Sequence, residues 1–215
     1  MKKNEVIDTM RGVGLVPVLR ANTTEDAVTV AKTICDAGVT VLEVTMTVPG
    51  AMEVLRVLKR ERPNLLLGAG TVLDPETARI CIMEGAEFIV SPATNVDTIA
   101  MCRRYTIACL PGALTPTEVV NAWQAGADVI KVFPCSAMGG ASYLKSLKAP
   151  LPQVELIPTG GVNVNNAMDF MAAGAFALGV GADLVDLKAV AEGNLLRIAD
   201  IAKAYLEQIH KFRQE

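Results

Sequence analysis

The sequence predicts an α/β protein, a closed parallel (β/α)8 barrel of the TIM type with one extra N-terminal helix, and three observations predict it. Eight short apolar runs recur at intervals of about 20 to 26 residues, the length of one strand, one helix and two short loops. The stretches between them have helical periodicity and end repeatedly on an Ala-Gly or Gly-Ala step. Polar residues that an apolar strand has no reason to hold gather at the far ends of the runs. Strand-helix alternation alone also fits an open doubly wound sheet, which stands as the alternative.

Taken in order, the chain opens on a helix around residues 4–10 and a first strand at 15–19. Thr23 or Thr24, ahead of Glu25 and Asp26, offers an N-cap for the periodic stretch 24–35, and Gly38 fits the left-handed residue past its end. The second and third strands are expected at 41–44 and 65–67. Asp74-Pro75-Glu76 then marks a helix start, with Gly85 as its stop, before the fourth strand at 88–90. A fifth strand at 107–110 precedes the start signal Thr115-Pro116-Thr117-Glu118 and the stop at Gly126. The remaining strands fall at 129–133, 155–157 and 177–180, with Gly174 between the last two and an amphipathic closing helix over 195–212. No linker or low-complexity tract interrupts this pattern, so residues 1–215 are expected to form a single barrel domain.

Composition narrows the function class. A chain of 215 residues, 51% hydrophobic and 20% charged, can build one large core, and a net charge of -3 gives no reason to expect a nucleic acid or an anionic membrane as partner. No segment reaches the roughly 18 uninterrupted apolar residues of a membrane span, and the basic start Met1-Lys2-Lys3 has no apolar stretch behind it, so a cytoplasmic place is expected. Five scattered cysteines suggest neither a disulfide framework nor a zinc cluster. With His210 the single histidine, a metal site built on several imidazoles and a Ser-His or Cys-His couple are both disfavoured.

Lys131, inside Val129-Ile130-Lys131-Val132-Phe133, is the least expected residue in the chain. Burial disfavours a charged amine, and the neutral amine is the form that attacks a carbonyl carbon. A lone Glu43 in Val41-Leu42-Glu43-Val44 is as anomalous. In a barrel the second and sixth strands lie opposite each other, so Glu43 and Lys131 can meet in one interior layer, with Glu43 as general acid and base for imine chemistry on Lys131. A structural ion pair is the bland reading, but desolvation makes such pairs poor stabilisers. The glycines Gly160 and Gly161 after the seventh strand, and Gly179-Val180-Gly181-Ala182 running into what reads as a short helix, free backbone N–H groups for an anion, and the last two loops of such barrels often hold phosphate.

The segments Glu43-Val44-Thr45, Gly68-Ala69-Gly70-Thr71-Val72, Ile89-Val90-Ser91-Pro92, Leu110-Pro111-Gly112, Lys131-Val132-Phe133-Pro134 and Ile157-Pro158-Thr159-Gly160-Gly161-Val162 resemble, in order and over essentially the whole chain, the class I 2-keto-3-deoxy-6-phosphogluconate (KDPG) and 4-hydroxy-2-oxoglutarate (KHG) aldolases. The resemblance implies a trimeric barrel without metal or organic cofactor that cleaves a 2-keto-4-hydroxy acid, often phosphorylated, to pyruvate and an aldehyde. It implies Lys131 as the Schiff-base residue and Glu43 as the proton shuttle. Thr71 and Thr159 would line the pyruvyl part, Pro92 and Phe133 would complete the substrate-binding set, and Gly160, Gly161, Gly181 and Ala182 would hold the phosphate.

Two positions depart from the family pattern. Thr47 stands where well-known members carry an Arg for the substrate carboxylate, and Arg20 at the mouth of the first strand can supply that charge. Ala182 stands where a Ser is usual, which removes one donor to phosphate and leaves the backbone N–H groups. Two other functions share parts of the pattern. A phosphosugar isomerase or epimerase would use the same phosphate loops without needing Lys131, and a non-catalytic oligomeric scaffold would need neither.

Overall fold

The computed structural model describes residues 1–214, and the strands all pair in parallel. In chain order the elements are α1 (Lys3–Val13), β1 (Leu15–Leu19), α2 (Thr24–Asp36), β2 (Val41–Thr45), α3 (Ala51–Glu61), β3 (Leu66–Gly70), α4 (Pro75–Met83) and β4 (Phe88–Val90). They continue with α5 (Val96–Arg104), β5 (Ala108–Leu110), β6 (Gly112–Ala113), α6 (Pro116–Ala125), β7 (Ile130–Val132), a 3-10 turn (Cys135–Met138), α7 (Ala141–Lys148) and β8 (Leu156–Pro158). The chain closes with α8 (Ala167–Ala172), β9 (Leu178–Val180), α9 (Leu187–Ala191) and α10 (Leu195–Phe212).

Helix starts follow the capping chemistry. The side chains of Thr23, Asp74 and Thr115 accept from the backbone N–H groups of Asp26, Thr77 and Glu118, each such cap contributing about 1 kcal/mol. The glycine stops fall where they are needed, with φ of 105° at Gly38, 98° at Gly85, 96° at Gly126 and 90° at Gly174. The fifth predicted strand is β5, and a further short strand, β6, follows it: Pro111 has no N–H to give to a ladder, so pairing breaks between the two. The short helix expected after Gly181 is α9, which starts later than its sequence suggested, at Leu187. The chain before it makes one turn, in which the Leu184 and Val185 N–H groups donate to the Gly181 carbonyl, and Asp186 starts α9 only afterwards.

One sheet has the order β5-β4-β3-β2-β1-β9 and the other β6-β7-β8. The first runs through consecutive strands without the reversal that defines a doubly wound sheet, so that alternative is set aside. A bridge pairs Thr159 with Gly179 between the two sheets. Alternate strand residues separate into two apolar clusters. Leu42, Val44, Leu67, Ile89, Ile130 and Leu178 pack under the helices, whereas Val16, Val41, Leu66, Phe88, Val129 and Ile157 form an inner cluster plugged by Val6 and Met10 of α1. Burying those two side chains contributes roughly 1.5–3 kcal/mol each. Above this plug, the inner positions nearer the strand C-termini turn polar, and there the registers set Glu43 beside Val18 and Gly68, and Lys131 beside Gly112 and Ile157. Among the described residues no helix is long and apolar enough to cross a membrane.

Candidate active site

Lys131 is carried inward by strand alternation. Its neighbours Ile130 and Val132 face the helices, while its own side chain, 5% exposed, lines a cavity of about 500 Å3 at the C-terminal ends of the strands. Its Nζ lies 5.2 Å from the centre of the Phe133 ring, and Phe133 lines the same cavity. The strand is fixed by the Lys131 N–H donating to the Pro111 carbonyl.

Arg20, Thr159, Gly160, Gly161, Gly181 and Ala182 line this cavity together with Lys131 and Phe133, so most of the expected site converges. Val162, Asn163 and Asp183 line it as well and carried no signal in the sequence beyond their nearness to the glycines, and Val18 of β1 joins them. Thr47, Thr71 and Pro92 do not line it. Thr47 is exposed and shares a 2.8 Å hydrogen bond with the Thr45 hydroxyl, which itself donates to the Leu19 carbonyl. Pro92 lines a neighbouring cavity of about 270 Å3, separated from the first by Phe133, which borders both. Thr71 closes β3 with φ 57°, a left-handed conformation that costs a non-glycine residue about 1–3 kcal/mol and tends to be kept at functional sites.

Glu43 is 2% exposed and packs against Gly70, where an added Cβ would meet its Oε1 at 1.8 Å. That oxygen is buried and, among the described residues, accepts no hydrogen bond. Burial holds the carboxyl above its usual range, partly offset by the charges of Lys131 and Arg20. The expectation that Glu43 and Lys131 explain each other as a pair is corrected in one respect. Both enter the interior, but among the described residues no ion pair within 4.0 Å joins them, since Lys131 leans toward Phe133 and the ends of β8 and β9.

The glycine loops are shaped for an anion. The Gly160 carbonyl accepts from the Ser136 N–H, the Gly161 carbonyl from Asn166 Nδ2 at 2.9 Å, and the Gly181 carbonyl from Leu184 and Val185. A trans peptide points its N–H opposite to its carbonyl, so fixing these carbonyls also fixes the N–H groups of Gly161, Val162 and Ala182. Among the described residues the N–H groups of Gly161, Gly181 and Ala182 donate to no protein acceptor. Gly160 and Gly161 have φ of 87° and 79°, and a Cβ on Gly161 would lie 2.2 Å from that of Ser136. Cys135 is a poor nucleophile here: it is buried, donates to the Gly140 carbonyl, and burial pushes its thiol up to about 11. Among the described residues no group of three or more His, Cys, Asp or Glu is placed to hold a metal ion.

Comparisons with known proteins point one way. The family described as "Aldolase: KDPG and KHG aldolase" matches residues 6–201. A KHG/KDPG aldolase of Escherichia coli is 33% identical over 193 residues, covering 90% of this chain and 91% of the relative. The crystal structure of a KDPG aldolase from Legionella pneumophila, with pyruvate captured as a covalent carbinolamine, superposes with a TM-score of 0.86 at 29% identity, covering 93% of this chain and 97% of that one. A cube-shaped protein cage designed by fusing symmetric oligomeric domains superposes with a TM-score of 0.87 at 30% identity, covering 94% of this chain and 74% of that one.

Proposed function

Because the chain belongs to the KDPG and KHG aldolase family, we propose that it is a class I aldolase, an aldehyde-lyase that cleaves KDPG or a related 2-keto-4-hydroxy acid to pyruvate and an aldehyde. The observation that carries this reading is a buried Lys131 lining one cavity together with Arg20 and the backbone of the two glycine loops.

In this reading the Lys131 Nζ lone pair attacks C2 of the keto acid to give a carbinolamine, and loss of water leaves an iminium. Removal of the C4 hydroxyl proton lets the C3–C4 bond break. Its electron pair passes into the iminium, forming an enamine, while C4 leaves as the aldehyde. Protonation of C3 restores the iminium, and water then releases pyruvate and the free amine. Glu43 moves the protons: burial raises its pKa, which favours its holding a proton, and among the described residues no protein donor competes for Oε1. Arg20 binds the substrate carboxylate in place of an Arg at Thr47, and Thr71, Thr159, Pro92 and Phe133 enclose the pyruvyl part. Gly160, Gly161, Gly181 and Ala182 hold the phosphate through backbone N–H groups alone. The chemistry is covalent on Lys131 and needs no metal or organic cofactor.

Residues 1–215 act as one unit in this proposal, a closed eight-stranded barrel. The Thr159–Gly179 bridge between the sheets, the Lys131 N–H bond to Pro111 and the separate inner cluster support closure. A homotrimer and a cytoplasmic place belong to the same proposal, and the likeness to a cage fused from symmetric oligomeric domains supports an oligomer.

The test is release of pyruvate from KDPG, from its phosphogalactonate epimer and from 4-hydroxy-2-oxoglutarate. Pyruvate from at least one of them is expected. Interconversion of the two phosphorylated epimers without pyruvate would establish the isomerase or epimerase reading, and a folded protein inert toward all three would point to a scaffold.

A further inference from the structure

We propose that Asp183 and Tyr205 are positioning residues that clasp the two glycine loops into a single anion-binding surface; this inference rests on the phosphate role given above to those loops. The Gly160–Gly161 loop follows β8 and the Gly181–Ala182 turn follows β9, and among the described residues one bridge pairs these strand ends, Thr159 with Gly179, at the base of both loops. Higher up, Asp183 joins them. Its Oδ2 accepts from the Val164 N–H, on the β8 side, at 3.2 Å and from the Tyr205 hydroxyl at 2.6 Å. Tyr205 is fully buried on α10, and burial together with its bond to Asp183 holds the phenol well above its ordinary range, so it remains a donor.

Asp183 lines the cavity, where a carboxylate beside an anion needs a reason. Two hydrogen bonds to one oxygen provide it, because they draw the negative charge back toward α10 and away from the free N–H groups. Without the clasp, each loop keeps its own internal bonds, from Asn166 to Gly161 and from Leu184 and Val185 to Gly181, but among the described residues only the Thr159–Gly179 bridge at the base of the loops still ties the two together. An anion that must touch both sets of N–H groups is sensitive to the distance between them, and the imine chemistry on Lys131 is not.

The test is Tyr205→Phe, which keeps the buried ring and removes only the hydroxyl. The expected result is a KM for KDPG raised about 10-fold, with kcat and the KM for 4-hydroxy-2-oxoglutarate both within about twofold of the parent. Inorganic phosphate, titrated calorimetrically, should bind about 10-fold more weakly to the variant. Asp183→Asn retains an acceptor oxygen for both donors and should show a smaller loss than Asp183→Ala, which guards against a Tyr205 variant that folds poorly. Equal losses for both substrates, or phosphate affinity unchanged in Tyr205→Phe, would overturn the clasp. Should the parent protein release no pyruvate at all, the aldolase reading fails, while the phosphate titration still decides the clasp.

Discussion

At the N-terminal ends of the strands, acids and cations are matched. Glu87 meets Lys59 at 2.8 Å and the terminal amine at 3.3 Å, Asp128 meets Lys3 at 2.8 Å, and Glu155 meets Arg11 at 3.1 Å and Lys148 at 3.6 Å. At the C-terminal ends, Glu43, Lys131 and Arg20 have no ion-pair partner within 4.0 Å among the described residues, although Glu43 and Lys131 are buried far more deeply than any of the matched groups. Paired surface charges contribute little, whereas a buried charge without a partner is costly. A chain that satisfies its charges at one end and leaves them open at the other is bearing that cost where a substrate will supply the partners.

The comparison predicts a graded response to mutation. Lys131→Ala should lower turnover roughly 10^4-fold or more with the fold intact, and its melting temperature should equal or exceed that of the parent, since a buried amine is removed. Steady-state kinetics and circular dichroism check this. An active Lys131→Ala protein would break the contrast at its strongest point.

Glu43→Gln should still form the imine and lose about 10^2–10^4 in kcat. It carries a second signature. Burial raises the folded-state pKa of Glu43 above 4.5, so the folded protein holds this proton more tightly than the unfolded chain, and stability falls as pH rises from about 4.5 through the raised pKa. Relative to the parent, Glu43→Gln should therefore gain stability at pH 8 and lose that advantage toward pH 4, as melting temperatures across pH would show. Arg20→Ala should raise the KM for the keto acid about 10-fold while kcat changes less, because the guanidinium binds a carboxylate present in both ground and transition states. Lys3→Ala, at the matched end, should cost under about 1 kcal/mol in denaturant unfolding and leave turnover unchanged. A loss of activity there would mean that the two ends are not functionally distinct.

Much of this arrangement was legible in the sequence. Strand spacing, the N-caps at Thr23, Asp74 and Thr115 and the glycine stops are local chemistry, and local chemistry set the element order. Lys131 and Glu43 stood out because an ionisable group in an apolar strand is rare. What sequence could not give was distance. Glu43 and Lys131 share the interior, close enough for the Lys131 charge to act on Glu43, but among the described residues no ion pair within 4.0 Å joins them. The segment after Gly181 read as running into a short helix, yet that helix waits until Leu187, and Asp183 is committed instead to Val164 and Tyr205, partners 19 and 22 residues away. The pairing of Asp183 with Tyr205 had no signal in the sequence, being a contact across the fold between two ordinary residues.

The most direct test of the account is to incubate the protein with pyruvate and borohydride and map the product by mass spectrometry, because a reduced imine records which amine reacted. The account predicts one pyruvyl adduct per chain, on the peptide carrying Lys131, and its absence from Lys131→Ala. A folded protein that gains no adduct, or gains it on an exposed amine such as Lys188, would contradict it.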